Sequence, residues 1–261
     1  MKIGFIGLGN MGAALAQAVS QQADTQLLLS NHNPVKAHAL QEKVGGQLFS
    51  NGEIAEQAEV IFLGVKPHLI QSVLSDSQNQ SSQNPSAIWI SMAAGVTLNS
   101  LEEFVSADKL IRIMPNTPVA IGQGMTTYSV VNQELAPLLE QILEKTGKVQ
   151  QVPEKLIDAA TAIAGCGPAF VYQMIEALTD AGVQNGLTAE DAKILSAQTL
   201  AGTAQMVLYS DKHPAQLRQE VTSPGGSTIA GVVALEKEGF RYAVITAVAA
   251  ALKKTRKLGK K

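Results

Sequence analysis

The chain has 261 residues, 46% of them hydrophobic and 16% charged, which excludes a disordered chain and leaves room for a large core in one or two domains. A net charge of −2 gives no basic field to draw nucleic acid. The most apolar run, from Ala243 to Leu252, is too short for a bilayer, which needs about 20 residues.

Cys166 is the single cysteine, so no intrachain disulfide can form and a reducing compartment fits best. A glycine-rich turn begins almost at Met1, so no signal peptide is expected and the cytoplasm is the expected location.

The first predicted strand, Lys2–Ile6, runs into G-L-G-N-M-G at residues 7 to 12. Gly7, Gly9 and Gly12 form G-x-G-x-x-G, whose glycines serve a tight turn, close approach to a pyrophosphate, and close packing of helix on strand. A helix over Met11–Gln22 follows, with Met11, Leu15, Ala18 and Val19 on one face. Its N-terminus offers unpaired N–H groups and a positive dipole end to phosphates.

The second strand, Gln26–Ser30, leads into Asn31, His32 and Asn33 with no acid. A carboxylate there would bind a ribose 2′-hydroxyl, and its absence leaves room for a 2′-phosphate. The reading is NADPH, with Asn31, His32 and Asn33 as hydrogen-bond donors. No arginine clamps the phosphate, so NADH stays open.

Further strands are expected at Val60–Val65, Ala87–Met92 and Lys109–Met114, with Gly122–Val130 and Gly147–Val152 as additional candidates. The polar patch S-D-S-Q-N-Q-S-S-Q-N-P at 75 to 85 reads as a surface loop. The turns Val65-Lys66-Pro67 and Met92-Ala93-Ala94-Gly95 end strands and should line a ligand cleft. Lys66 is either an acid or a stem that carries its amine into solvent. Met114-Pro115-Asn116-Thr117-Pro118 makes a stiff turn that holds polar side chains, and Asn116 is placed with the cofactor set. Alternating strands and helices of this kind predict a mostly parallel, Rossmann-type sheet covered on both faces.

The pattern turns helical near Pro153, so residues 1–152 are expected to form a dinucleotide-binding α/β domain and 153–261 an all-α substrate-binding and dimerisation domain. Helices are expected over Pro168–Asn185 and Thr188–Tyr209, and from Pro214, Ser227 and Phe240. Thr188 and Asp191 fit a capping box. The Thr188–Tyr209 helix is apolar around much of its circumference, which suggests a subunit interface as well as a core. Lys253, Lys254, Arg256, Lys257, Lys260 and Lys261 read as a solvated helix end.

V-T-S-P-G-G-S-T-I-A-G at 221 to 231 is a second turn of the anion-binding type. Pro224 stops one helix, Gly225 and Gly226 turn the chain, and Ser227 or Thr228 opens the next. It reads either as a capped helix alone or as a carboxylate cradle with Thr228 facing the reacting atom.

This signature, with F-I-G-L-G-N-M-G, G-V-K-P, S-M-A-A-G-V-T, R-I-M-P-N-T-P and A-G-C-G-P-A-F in order, closely resembles the pyrroline-5-carboxylate reductases. The resemblance implies reduction of the cyclic imine of pyrroline-5-carboxylate to L-proline with NADPH or NADH. It also implies a helical domain intertwined with a partner in a homodimer, with a higher oligomer open. Its cofactor contacts would be Ile6, Gly7, Leu8, Gly9, Asn10 and Met11, with Asn33, Asn51, Val65, Lys66, Pro67, Met92, Ala93 and Ala94. Ser223, Ser227 and Thr228 would bind substrate, with backbone groups at Gly225 and Gly226 taking the carboxylate.

Many bacterial relatives carry Arg where this chain has His32, and Cys166 replaces a small polar residue, which makes it a packing residue rather than a nucleophile. Thr228 is the candidate catalytic residue, bonding the imine nitrogen; neither a metal nor a buried His or Glu acid is required. Two other readings stand beside this one. A 3-hydroxyacid dehydrogenase would use a lysine of the helical domain, here Lys193, and a nicotinamide-sensing regulator would need no second anion turn.

Overall fold

The computed structural model describes residues 1–258. The chain divides into two compact units: Met1–Cys166 with the chain from Ala250 on, and Gly167–Ala249.

The first unit opens with β1 (Lys2–Ile6), α1 (Asn10–Val19), β2 (Gln26–Ser30), α2 (Pro34–Val44), β3 (Gln47–Leu48), α3 (Asn51–Gln57) and β4 (Val60–Leu63). It continues through α4 (Ile70–Ser81), β5 (Ile88–Ser91), α5 (Leu98–Leu101), β6 (Leu110–Met114), β7 (Gly124–Val130), α6 (Ala136–Ile142), β8 (Gly147–Gln151) and α7 (Glu154–Ala160). The eight strands form one sheet in the order β3-β2-β1-β4-β5-β6-β7-β8. Only the β6–β7 pairing is antiparallel. The strand order therefore reverses between β1 and β4, the point where such sheets open a crevice beyond the strands' carboxyl ends.

The central strands β1, β2 and β4 are buried on both faces, so they read as nearly unbroken apolar runs. Ile3, Phe5, Val60 and Phe62 enter one core cluster with Leu15 and Val19 of α1. Their neighbours Ile6, Ile61 and Leu63 enter the other with Ile54 of α3 and Leu74 of α4. Phe5 and Phe62, paired across β1 and β4, stack with ring centroids 4.7 Å apart.

The polar patch at 75–85 is not a loop. Its first part continues α4, because Ile70, Leu74 and Ser77 form a buried stripe at helical spacing while the polar residues between them face outward. Asn84 then ties the chain back, its amide donating to the carbonyls of Ala55 (3.2 Å) and Ala58 (2.8 Å).

The first compact unit extends past Pro153 to Cys166, because α7 is bound to the sheet. Arg112 on β6 is 2% exposed and reaches Asp158 at 2.9 Å and Glu154 at 3.4 Å, both on α7. Glu154 also accepts the Leu98 N–H at 2.6 Å, which fastens the start of α5 to the same group.

The second unit contains α8 (Gly167–Gln184), α9 (Ala189–Leu208), α10 (Pro214–Glu220), α11 (Ser227–Lys237) and the first part of α12 (Phe240–Leu258). Thr188 caps α9 by accepting the Asp191 N–H, and its hydroxyl donates to the Asp191 carboxylate. Within this unit α8 and α11 have no fully buried residue, and α9 buries only Ala192 and Ser196. Tyr172, Ile194, Leu208, Val233 and Ile245 are all more than half exposed. Of the basic C-terminal cluster, Lys253, Lys254, Arg256 and Lys257 are exposed on α12, while Lys260 and Lys261 lie outside the described residues.

Removing both carboxylates that face Arg112 leaves a buried, unpaired guanidinium. Glu154→Gln/Asp158→Asn is expected to lower unfolding free energy by about 3–5 kcal/mol in a denaturant titration, as for other buried pairs broken on one side.

Candidate active site

The turn after β1 is built from backbone packed against backbone. Gly7 has φ +95°, and its N–H donates to the Ser30 carbonyl of β2 at 2.8 Å. A Cβ at Gly12 or at Gly64, just past β4, would run into the Gly7 carbonyl oxygen. Gly9 differs: a Cβ there would meet no protein atom within 4 Å. The turn thus closes tightly on the sheet side and leaves the side before α1 open at Gly9, the N-cap residue. No side chain caps α1, so its first N–H groups are available to a phosphate. Gly64 is absent from the site residues expected from sequence; its place as the first residue of G-V-K-P, directly after an apolar strand, was the available signal.

The end of β2 is joined to this turn. Asn31 Oδ1 accepts the Leu8 N–H at 3.0 Å, and its Nδ2 donates to the Asn33 carbonyl at 3.0 Å. Asn33 Oδ1 caps α2 by accepting from Val35 and Lys36 N–H. The buried Ser30 hydroxyl donates to Asn51 Oδ1 at 2.7 Å, at the start of α3. Ser50 caps that helix in a full capping box with Glu53, whose carboxyl is held below its usual range by the Ser50 N–H and hydroxyl. Asn31, Asn33 and Asn51 therefore brace the corner, and His32 stands exposed beside them.

The other expected turns lie along the same carboxyl edge. Val65 packs on Gly7. The Met92 N–H donates to the Leu63 carbonyl. Pro67, His68, Gly95, Val96 and Thr97 help line one cavity of about 550 Å³. Ala93 is buried, and Lys66 is exposed. Asn116 is 8% exposed, with both ends of its amide engaged: Oδ1 accepts the Met125 N–H at 2.8 Å, and Nδ2 donates to the Ala164 carbonyl at 3.0 Å. The buried Tyr128 hydroxyl donates to Glu140 at 2.7 Å. Burial and a hydrogen bond to Glu140 push its pKa up to about 12.

In the second unit, Gly225 turns the chain with φ +70° and Gly226 is the N-cap of α11. A Cβ at Gly226 would collide with the Ser223 hydroxyl, so the glycine brings that hydroxyl to the helix mouth. No side chain caps α11, although Ser227 and Thr228 begin it. The hydroxyls of Ser223, Ser227 and Thr228 have no hydrogen-bond partner among the described residues, and all three residues are exposed. A helix start with uncapped N–H groups and several unengaged hydroxyls suits a carboxylate. Lys193 lies elsewhere, in a groove of about 680 Å³ between α8 and α9 with Glu176, Asp180 and Glu190.

Two family models match the chain. One, described as pyrroline-5-carboxylate reductase dimerisation, covers residues 154–258; the other, described as NADP oxidoreductase coenzyme F420-dependent, covers residues 2–95. The pyrroline-5-carboxylate reductase of Arabidopsis thaliana is 37% identical over 98% of this chain and 95% of its own. The chain belongs to the pyrroline-5-carboxylate reductase family.

Solved members of that family share its fold. The NADP-bound pyrroline carboxylate reductase of Plasmodium falciparum is 38% identical, with a TM-score of 0.86 over 99% of each chain. The pyrroline-5-carboxylate reductase of Coxiella burnetii is 34% identical, with a TM-score of 0.88 over 99% of this chain and 98% of its own. Within this reductase chain the glycines divide the work at the cofactor turn, and substitution should separate their roles. Gly12→Ala forces a methyl into the Gly7 carbonyl and is expected to cost about 1–3 kcal/mol of stability. Gly9→Ala should fold normally but weaken dinucleotide binding roughly tenfold, about 1.4 kcal/mol, as read by calorimetry beside a melting curve.

Proposed function

We propose that this chain reduces 1-pyrroline-5-carboxylate to L-proline with NADPH as the preferred reductant and NADH as a possible one. Whole-length membership of the pyrroline-5-carboxylate reductase family carries this reading, and the intact S-P-G-G-S-T turn supports its substrate. Residues 1–152 bind the dinucleotide, and 153–261 bind the imine and a partner subunit.

Gly7, Gly9 and the start of α1 hold the pyrophosphate, and the corner from Asn31 to Asn33 with Asn51 takes the ribose end. The remaining cofactor contacts are Ile6, Leu8, Asn10, Met11, Val65, Lys66, Pro67, Met92, Ala93 and Ala94. The bound dinucleotide supplies the hydride that reduces the imine carbon. The backbone N–H groups from Gly225 to Thr228, with the Ser223 and Ser227 hydroxyls, hold the substrate carboxylate. Thr228 hydrogen-bonds at the imine nitrogen and so orients the C=N bond. The nitrogen takes its proton from water, so the protein's contribution is position and electrostatics rather than a strong acid.

Thr228→Ala is expected to lower kcat by about 10²-fold, the lower end for a positioned proton-handling group, with NADPH affinity unchanged. Loss of NADPH absorbance with pyrroline-5-carboxylate reads the first quantity, and fluorescence titration reads the second. Equal turnover of the variant and the parent would remove Thr228 from the reaction.

The apolar surface of the second unit supports an intertwined homodimer, which can assemble further. Exposed side chains such as Ile194, Leu208 and Ile245 far exceed what a lone soluble domain leaves uncovered. Ile245→Asp should therefore shift the protein to monomer in analytical ultracentrifugation. The cytoplasm is the inferred location, on the single cysteine; among the described residues no helix is long and apolar enough to cross a membrane.

A further inference from the structure

The chain crosses between the cofactor-bearing unit and the unit that bears the substrate turn at two places, entering at Cys166–Gly167 and returning within α12 at Ala249–Ala250. The backbone at the entry is irregular. After α7 the chain forms a single π-helical stretch, Thr161–Gly165, closed by the Cys166 N–H donating to the Thr161 carbonyl at 2.9 Å. Such π turns are uncommon and collect at functional sites. Two residues later comes Pro168, which opens the first turn of α8.

In an α-helix the Ala164 carbonyl would accept from the N–H four residues on, at position 168. Proline has no N–H, so that carbonyl loses its donor. Ala164 is half-buried, and a carbonyl with little access to water that is left unpaired costs stability. Asn116 supplies the missing donor: its Nδ2 lies 3.0 Å from the Ala164 oxygen. The same amide is held from its other end by the Met125 N–H at 2.8 Å, at the start of β7. The amide is therefore fixed by the sheet and offered to the junction.

We propose that Asn116 is a positioning residue for hydride transfer. It replaces the N–H that Pro168 lacks and fixes the A-G-C-G stretch by which the chain enters the substrate-bearing unit. This rests on the imine-reductase reading given above. Asn116 acts through Ala164 and Pro168, not by touching the dinucleotide. Its loss loosens the backbone from Thr161 to Pro168 without altering the glycine turn at Gly7–Gly12.

The test uses the full-length protein in four forms: the parent, Asn116→Asp, Pro168→Ala and the double variant. Asn116→Asp keeps the acceptor for Met125 but turns a carboxylate oxygen on the Ala164 carbonyl. The expected result is at least about a tenfold loss in kcat per folded molecule, with NADPH affinity within about twofold of the parent. Pro168→Ala restores a backbone N–H and should return a substantial part of the lost kcat in the double variant. Hydrogen exchange should show faster amide exchange across residues 161–170 in Asn116→Asp and slower exchange again in the double variant.

A rise in NADPH dissociation constant in step with the kcat loss would make Asn116 a cofactor contact and overturn the proposal. So would unchanged kcat per folded molecule, or a double variant no better than Asn116→Asp. If the parent itself turns over no imine, the reductase reading fails, and exchange then decides the latch alone. Unchanged protection over 161–170 in Asn116→Asp overturns it.

Discussion

The close contact of Gly7, Gly12 and Gly64 is the constraint on which the first unit depends. Three backbone segments, the turn after β1, the start of α1 and the end of β4, approach within a space that no side chain can enter. That contact lies where the strand order of the sheet reverses. It pulls α1 against the carboxyl edge and leaves its uncapped N-terminus aimed past Gly9, where nothing of the protein intrudes. A phosphate-binding corner follows from packing alone, because the orphan N–H groups of a helix start need a partner that the protein does not supply.

Around that corner the polar side chains act mainly as braces. Asn31 holds the Leu8 N–H, Asn33 caps α2, and Ser30 is bonded to Asn51. A site made this way keeps its shape through bonds to fixed backbone groups, so little reorganisation is left for the moment of binding. The far side of the sheet follows the same logic with stronger groups. Arg112, nearly without solvent contact, holds α7, and Asn116 holds the stretch that follows it.

The second unit is organised by what it lacks. Its helices are rich in apolar residues, yet α8 and α11 bury none of theirs fully. Hydrophobic burial is the main favourable term in folding, so a helical unit of this composition reaches its stable form by covering those faces with another chain. The dimerisation model that matches residues 154–258 agrees with this balance.

Sequence alone determined the parts that depend on short-range spacing. G-x-G-x-x-G after an apolar strand, the alternating strands and helices, and S-P-G-G-S-T at a helix start are local patterns, and β1, β2 and α11 fall where those patterns place them. Where a pattern needed a partner to be read, the sequence misled. The serine- and asparagine-rich stretch looked like a loop, and only its stripe of Ile70, Leu74 and Ser77 against the sheet makes it helical. The change of composition at Pro153 does not show that α7 stays bound to the sheet, which Arg112 brings about by reaching across 42 and 46 residues of chain. The proline-flanked turn places Asn116 with the cofactor set, and the folded chain adds that both ends of its amide are engaged. The carbonyl it satisfies lies 48 residues away, and no local spacing carries that fact. Turns and periodicities are written in neighbouring residues; which buried polar group must find which partner is settled only when the chain has closed on itself.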